Sequence, residues 1–164
     1  MNLAIYQNIF AVIVTIVGSF YDVKFRRVPN WLTFGSFGIA LIYNITTLKI
    51  HNILFCVCGF LVGIGLLIIP YILGGMGAGD VKLLGAIGSI VGYKNIICIF
   101  IYTAISGMLL GIIWMLSKPD RLKFLITTGQ VSPTIEKKEK VPYAIAIFLG
   151  TVVYILLGDR GFQF

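Results

Sequence analysis

The stretch GGMGAGDVKLLGAIG, residues 74–88, joins flexible backbone, one acid and one base at the start of an apolar segment. Four glycines precede Asp80, and Lys82 follows two residues later. Polar groups next to hydrocarbon cost free energy unless they face water or one another. The stretch is therefore a break between two apolar segments and the first candidate for a functional site.

The composition places the chain among membrane proteins. It has 164 residues, of which 59% are hydrophobic and 12% are charged, and its mean hydropathy is +1.00. A soluble domain of this size needs far more polar surface, so that class is excluded. The chain has no long Gly/Ser or Pro linker, which indicates one domain over residues 1–164.

Apolar runs predict an all-α polytopic membrane protein with six transmembrane helices. A spanning helix needs about 20 mostly apolar residues. The fourth run is short, because a dozen helical residues rise only about 18 Å against a hydrocarbon core of about 30 Å. Either its helix begins within the glycine run or the segment dips into the bilayer and returns. The predicted spans are 3–21, 31–48, 53–73, 81–92, 96–116 and 141–157.

The positive charges predict the orientation. With six spans and the N-terminus outside, ten of the thirteen Lys and Arg residues lie on the inner side, as the positive-inside rule requires. The net charge of +7 is then an orientation signal and a surface for anionic lipid, and it does not predict nucleic-acid binding. Residues 1–21 lack a basic leader region and a small-residue cleavage site, so a retained first helix is favoured over a cleaved signal peptide.

Two acids lie at the inner ends of predicted spans. Asp22 ends the first span and Asp80 precedes the fourth. Two carboxyl groups held close together share a proton, and such a pair can activate water for peptide-bond cleavage without a metal or cofactor. The alternative is structural, with Asp80 as the N-cap of the fourth helix. Asp120 is also predicted inside, so a pair that includes it stays open.

The glycines and cysteines have simpler interpretations. Gly75, Gly77 and Gly79 allow backbone shapes barred to other residues and leave room for an extended substrate. A phosphate-binding loop is not favoured, because an apolar helix rather than a strand precedes the glycines. The three cysteines lie in apolar runs and the chain has one histidine, so no metal site is predicted. Glycine pairs four residues apart predict close helix packing within the molecule: Gly59/Gly63, Gly88/Gly92 and Gly107/Gly111.

Three segments together resemble the type IV prepilin peptidases, a family of membrane aspartic proteases. GAGDVKL (77–83) resembles the family's GxGD motif. DVKFRRVPN (22–30) resembles its other half, an aspartate that ends the first helix shortly before a Pro-Asn step. VPYA (141–144) is similar to the proline-containing opening of the family's last helix. The resemblance covers almost the whole chain.

The resemblance implies a function and a set of site residues. Asp22 and Asp80 match the catalytic dyad. The implied activity is removal of the basic leader from prepilin-like precursors at the cytoplasmic face of the inner membrane, and no cofactor is implied. Lys82 either tunes Asp80 or anchors the helix at the interface, and the anchor is favoured. The other matched motif residues are Gly77, Gly79, Pro29 and Asn30.

The chain also departs from part of the family. Large bifunctional members carry two CxxC pairs in an insertion and N-methylate the trimmed pilin. This chain has no CxxC and only a short connection after Asp22, which implies a peptidase without methyltransferase activity. In size it resembles the short members of Flp/Tad-type pilus systems, and also the archaeal preflagellin peptidases.

Two other classes of function stay open at this point. One is a proton-coupled transporter, in which boundary acids relay protons and the glycine break acts as a hinge. The other is a non-catalytic pilus or secretion assembly factor that keeps the fold without the chemistry.

Overall fold

The computed structural model describes residues 2–46, 50–117 and 143–161. These ranges contain six α-helices and no β-strand, which confirms the all-α prediction for this part of the chain. Residues 118–142, which include Asp120, lie outside the described residues. The helices are α1 (Asn2–Phe25), α2 (Asn30–Thr46), α3 (Ile50–Ile72), α4 (Ala78–Val91), α5 (Tyr93–Leu116) and α6 (Tyr143–Gly161).

The short helix α4 is the centre of the bundle. It packs against each of the other five helices, most extensively against α3. From Asp80 to Val91 every residue except Lys82 is buried. Its 14 residues rise only about 21 Å. Because neighbouring helices rather than lipid surround α4, the thickness of the bilayer does not set its length. The helix begins at Ala78, inside the glycine run, which confirms the first of the two alternatives given for the short fourth segment.

Glycines bring α3 and α4 into backbone contact. A Cβ atom on Gly59 would collide with the Gly88 carbonyl, and one on Gly63 would lie 2.6 Å from the Leu84 carbonyl oxygen. The two helices therefore run antiparallel and touch without intervening side chains, the kind of packing that stabilises helix pairs in lipid. This confirms the predicted internal role of these glycines. Gly111, by contrast, faces open space among the described residues.

The glycine run ends one helix and starts the next. Gly74 has φ +77°, its N–H donates to the Tyr71 carbonyl (2.9 Å), and the Gly75 N–H donates to the Pro70 carbonyl (3.0 Å). This is a Schellman C-cap, which needs a residue with positive φ at the first position after the helix. Gly77 follows as the N-cap of α4 with φ −85°, a conformation open to any residue. The prediction that Gly75, Gly77 and Gly79 supply unusual backbone shapes is thus wrong, since only Gly74 in this run has positive φ.

Large apolar side chains cover the outside of the bundle. On α1 they form a stripe at helical spacing that ends in Phe20. Three stretches of the described chain are long and apolar enough to cross a membrane, namely Ile5–Phe25, Asn52–Ile72 and Tyr93–Trp114, and Tyr143–Leu157 is a shorter apolar helix. These features indicate a membrane protein. Six spans and an outward N-terminus remain predictions. The exposed stripe on α1 consists of Ile5, Ile9, Ile13, Ile16 and Phe20.

Candidate active site

One cleft of about 630 Å³ opens where α1 ends and where α2 and α4 begin. Asp22 enters it from α1 and Asp80 from α4, so residues far apart in the sequence share one cavity. The dyad and the other matched motif residues all line this cleft, whereas Gly75 does not: Asp22, Pro29, Asn30, Gly77, Gly79, Asp80 and Lys82.

Asp80 is held by the start of its own helix. It is the third residue of α4 and is 6% exposed. Its Oδ2 accepts a hydrogen bond from the Gly77 backbone N–H at 3.2 Å. The position also places the carboxyl at the positive end of the helix dipole. The structural alternative, in which Asp80 is the N-cap of this helix, is therefore wrong. Gly77 is the N-cap, and Asp80 bonds back to it from inside the first turn.

Asp22 lies one turn before the end of α1. The helix stops because Arg26 adopts a left-handed conformation (φ +52°), while its N–H still donates to the Asp22 carbonyl at 2.8 Å. The Asp22 carboxyl accepts a hydrogen bond from the Ala144 backbone N–H and lies in the field of the Arg26 guanidinium. Within the described chain, its buried Oδ2 has no hydrogen-bond partner. A buried oxygen in this state is suited to receive a water molecule or a substrate group.

Gly79 allows the two halves of the site to meet. A Cβ atom on Gly79 would lie 3.0 Å from the Val28 Cβ and 3.2 Å from the Val28 backbone nitrogen. The α1–α2 connection, which follows Asp22, is thus pressed directly onto the start of α4. The space at Gly79 is therefore already occupied by Val28 and is not room for a substrate. At Gly77 the nearest atom to an added Cβ is Asp80 Oδ2 at 3.4 Å, an ordinary contact.

Lys82 joins α4 to α2. Its Nζ donates to the Asn30 side-chain oxygen at 3.1 Å and lies 5.6 Å from the centre of the Phe34 ring. Asn30 is the first residue of α2, directly after Pro29. Lys82 and Asn30 therefore link the two helices, and the two roles given to Lys82, tuning Asp80 or anchoring the helix at the membrane interface, stay predictions. Together these two residues hold the beginning of α2 beside the cleft.

The start of α6 is the part of the site that sequence reasoning did not assign. Besides the Ala144 N–H at Asp22, the Ser19 hydroxyl donates to the Ala144 carbonyl at 2.8 Å. Ser19 and Asp22 lie three residues apart on one face of α1, so both meet the same residue of α6. The VPYA segment was noted for its resemblance to a motif, but nothing in the sequence showed which helix it would contact.

Cations share the cleft with the two acids. Arg26, Arg27 and Lys82 line it, so a basic rim surrounds two carboxyl groups. In the part of the chain that the structure describes, no three His, Cys, Asp or Glu side chains come together as a metal-binding group. Besides the two acids and the three cations, the polar residues Tyr21 and Asn30 line this cleft.

The described part of the chain is thus a helical membrane protein with two carboxyl groups in one cleft. The comparison with family models identifies it more closely. The chain belongs to the type IV leader peptidase family, whose model matches residues 9–112. The matched range contains Asp22, Asp80 and the whole of α2 to α4.

The chain is also similar to a curated protein, the prepilin leader peptidase/N-methyltransferase of Bacillus subtilis (strain 168). The two are 30% identical over 91 residues, which are 56% of this chain and 31% of that protein. The chain thus matches less than a third of the length of this relative. No solved structure gave a significant match.

Proposed function

We propose that this protein is a membrane aspartic endopeptidase that removes the basic leader from type IV prepilin-like precursors. Its catalytic dyad is Asp22 and Asp80. The proposal is carried by one observation: the two acids, which come from the separate motif segments 22–30 and 77–83, line the same cleft. Membership of the type IV leader peptidase family supports the peptidase activity.

The chemistry follows from two carboxyl groups of which one is ionised and the other protonated. The ionised group takes a proton from water, and the water oxygen attacks the carbonyl carbon of the scissile peptide bond. The protonated group gives its proton to the carbonyl oxygen, which forms a tetrahedral intermediate. Proton transfer to the amide nitrogen then breaks the C–N bond and releases an amine and an acid.

The position of the cleft suits a substrate that is partly in the membrane. The cleft lies at the ends of apolar helices, so the apolar segment of a precursor can stay in the bilayer while its leader reaches the acids. In the predicted orientation this end faces the cytoplasm. The rim of Arg26, Arg27 and Lys82 does not attract a basic leader by itself, so anionic lipid is the expected mediator between enzyme and substrate.

The proposed activity is proteolysis without methylation. The described connection between α1 and α2 consists of residues 26–29, and the chain contains no CxxC pair. The name of the Bacillus subtilis relative includes a methyltransferase activity. We assign only the peptidase half to this chain, because its sequence lacks the insertion that distinguishes bifunctional members.

The test is cleavage of a prepilin-like substrate by purified protein in lipid, read by mass spectrometry. Wild type is expected to cut once at the leader junction. Asp22→Asn and Asp80→Asn are each expected to lose activity by at least about 10³-fold, because each removes a group that must exchange a proton. Asp120→Asn and Asp159→Asn serve as matched controls and should cleave like wild type.

Other outcomes would assign the acids differently. If Asp120→Asn lost activity while Asp22→Asn kept it, Asp120 would take the place of Asp22 in the dyad. A folded wild type that cuts none of several precursors would contradict the proposal and favour the transporter or the assembly factor.

A further inference from the structure

A second cavity, of about 170 Å³, lies between α1 and α2 at the end of the bundle opposite to the candidate active site. Its walls come from the beginning of α1 and the end of α2, and the buried Ile90 of α4 forms its base. Most of the side chains that line it are aliphatic or aromatic. The same three helices line the cleft that holds Asp22 and Asp80, so the two cavities have walls and base in common.

One face of α1 connects the two cavities. Phe10 lines the second cavity and Tyr21 lines the cleft, and Val17 lies between them on the same face at helical spacing. Among the helix pairs that touch in the described chain, α1 and α2 share the smallest contact, while both pack against α4. The line where α1 and α2 meet over α4, from the cleft to the second cavity, is called here the α1–α2 seam.

A depression follows the seam on the side of α2. The Trp31 ring meets the Tyr21 ring of α1 edge to face with centroids 6.0 Å apart, so this face of α2 borders α1. One turn further lies Gly35, and after another turn Ile39, which lines the second cavity. Trp31 is 63% exposed and Ile39 is 56% exposed, and a Cβ atom on Gly35 would meet nothing within 4 Å. The glycine therefore leaves a gap between two large apolar side chains, where another helix can approach closely.

We propose that the α1–α2 seam is the docking surface for the apolar helix of the substrate, and that the second cavity receives a side chain of that helix. This inference rests on the proposed function, in which the substrate is a basic leader followed by an apolar segment. When the scissile bond lies at the two acids, the apolar segment must run away from the cleft within the bilayer. The seam starts at the cleft, presents apolar side chains and ends in an apolar cavity.

The length of the seam sets the register of the substrate. Phe10 and Tyr6, which line the second cavity, precede Asp22 by about 12 and 16 helical residues, or about 18 and 24 Å along α1. A substrate helix that lies along α1 rises by the same amount per residue. The second cavity is therefore expected to receive a side chain from about 12 to 16 residues after the scissile bond.

Photo-crosslinking tests the docking surface without requiring proteolysis. Benzoylphenylalanine, a photoreactive amino acid, replaces Tyr43, which lines the second cavity, in the Asp80→Asn variant, so that the precursor stays intact. The matched control carries it in place of Tyr93 at the start of α5. The two tyrosines are 37% and 38% exposed, and among the described residues α5 packs against neither α1 nor α2.

The probe is a synthetic precursor, a lysine-rich leader joined to an apolar helix of about 20 residues, in vesicles that contain anionic lipid. Light is expected to join the Tyr43 position to the precursor at about 12 to 16 residues after the leader junction, and the Tyr93 position should give no such adduct. Adducts with lipid alone, equal adducts at both positions, or adducts with another part of the precursor would overturn the docking surface.

A kinetic test fills the depression. Gly35→Leu places a side chain between Trp31 and Ile39 and keeps the substrate helix away from the seam. Gly111→Leu is the matched control, because it adds the same side chain in open space on α5. We expect Gly35→Leu to raise KM about tenfold with kcat nearly unchanged, as for the loss of uniform binding, and Gly111→Leu to keep both constants. An unchanged KM in Gly35→Leu would contradict the proposal.

The two readouts distinguish this inference from the proposed function. If wild type cleaves the precursor but the Tyr43 position gives no adduct with it, the docking surface is overturned while the peptidase stands. If wild type fails to cleave, the proposed function fails, and the position of the adduct alone then supports or overturns binding of an apolar helix at the seam.

Discussion

The two halves of the candidate site meet at the contact between Val28 and Gly79. The Val28 side chain and backbone lie where a Cβ atom on Gly79 would be. Any side chain there must push the α1–α2 connection away from α4. Since Asp22 precedes this connection and Asp80 follows Gly79 directly, the distance between the acids depends on a residue that carries no functional group.

Gly79→Ala should therefore impair cleavage, whereas Gly77→Ala should be mild. The added methyl group on Gly79 would lie 3.0 Å from Val28 Cβ, while at Gly77 the nearest atom is 3.4 Å away. We expect about a tenfold or larger loss in kcat/KM for Gly79→Ala and less than about threefold for Gly77→Ala, since small displacements strongly reduce the rates of oriented reactions.

The measurement is initial cleavage rate at equal amounts of folded protein. Combining Gly79→Ala with Val28→Gly should restore part of the activity, because the second change removes the Val28 Cβ and Cγ2 atoms that lie nearest to the methyl group. Equal losses at both glycines would show that the motif acts through backbone flexibility and not through this contact.

The other motif positions act by joining elements. Lys82 and Asn30 form a hydrogen bond between α4 and α2, and the Phe34 ring lies beside the Lys82 ammonium. The bond holds the start of α2 over the cleft.

At the scale of elements, α4 serves as the platform for the site. It is buried from Asp80 onward apart from Lys82, and its backbone touches the backbone of α3 at Gly59 and Gly63. In lipid the hydrophobic effect does not drive helices together, so close packing of this kind carries much of the stability. A rigid α4 keeps Asp80 in place while α1 and α6 position Asp22.

Gly59→Ala should destabilise the protein, and Gly65→Ala should not. The first change puts a methyl group against the Gly88 carbonyl of α4, while the second faces open space on the same helix. Overpacking of this kind typically costs about 1–3 kcal/mol. At an exposed helical position alanine instead stabilises by about 0.5–1 kcal/mol relative to glycine.

Thermal unfolding in detergent measures both variants. We expect a lower Tm for Gly59→Ala and an unchanged or slightly higher Tm for Gly65→Ala. A Tm for Gly59→Ala equal to that of wild type would mean that α3 and α4 separate at little cost and that α4 is not a fixed platform.

At the scale of the whole molecule, neighbouring helices alternate in direction. Antiparallel contacts link α3 to α4 through the glycines, and α5 to α6 through Thr103 and Gly150. The ends of α1, α3 and α5 therefore lie on the same side as the starts of α2, α4 and α6, and this side carries the cleft. If α1 crosses from outside to inside, the candidate site faces the cytoplasm.

Cysteine labelling tests this orientation. In a variant without the three native cysteines, Lys94→Cys at the start of α5 and Ser117→Cys just after its end mark opposite sides, and both positions are exposed. A membrane-impermeant maleimide should label Lys94→Cys in intact cells and Ser117→Cys only in inverted vesicles. The reverse pattern would place the cleft outside and contradict the proposed cytoplasmic site.

The sequence by itself determined the class of the protein and the two candidate acids. Continuous apolar runs require a helical membrane protein, because backbone groups in lipid must be satisfied within the segment. Asp22 and Asp80 were identified because a carboxyl group at the end of an apolar helix costs free energy unless it faces water or another polar group, and such acids are functional candidates. Both inferences depend only on local composition and on motif resemblance.

Only the tertiary structure decided how these pieces meet. That α4 is a buried central helix follows from its contacts with five neighbours and not from its own hydropathy. The Ser19 hydroxyl at the Ala144 carbonyl, the Tyr143 ring against Gly107 and the contact between Val28 and Gly79 each join residues distant in the sequence. The identity of a residue does not show which side chain its backbone N–H will bond or which side chain will fill the space beside a glycine. Only the packing of the helices determines these partners.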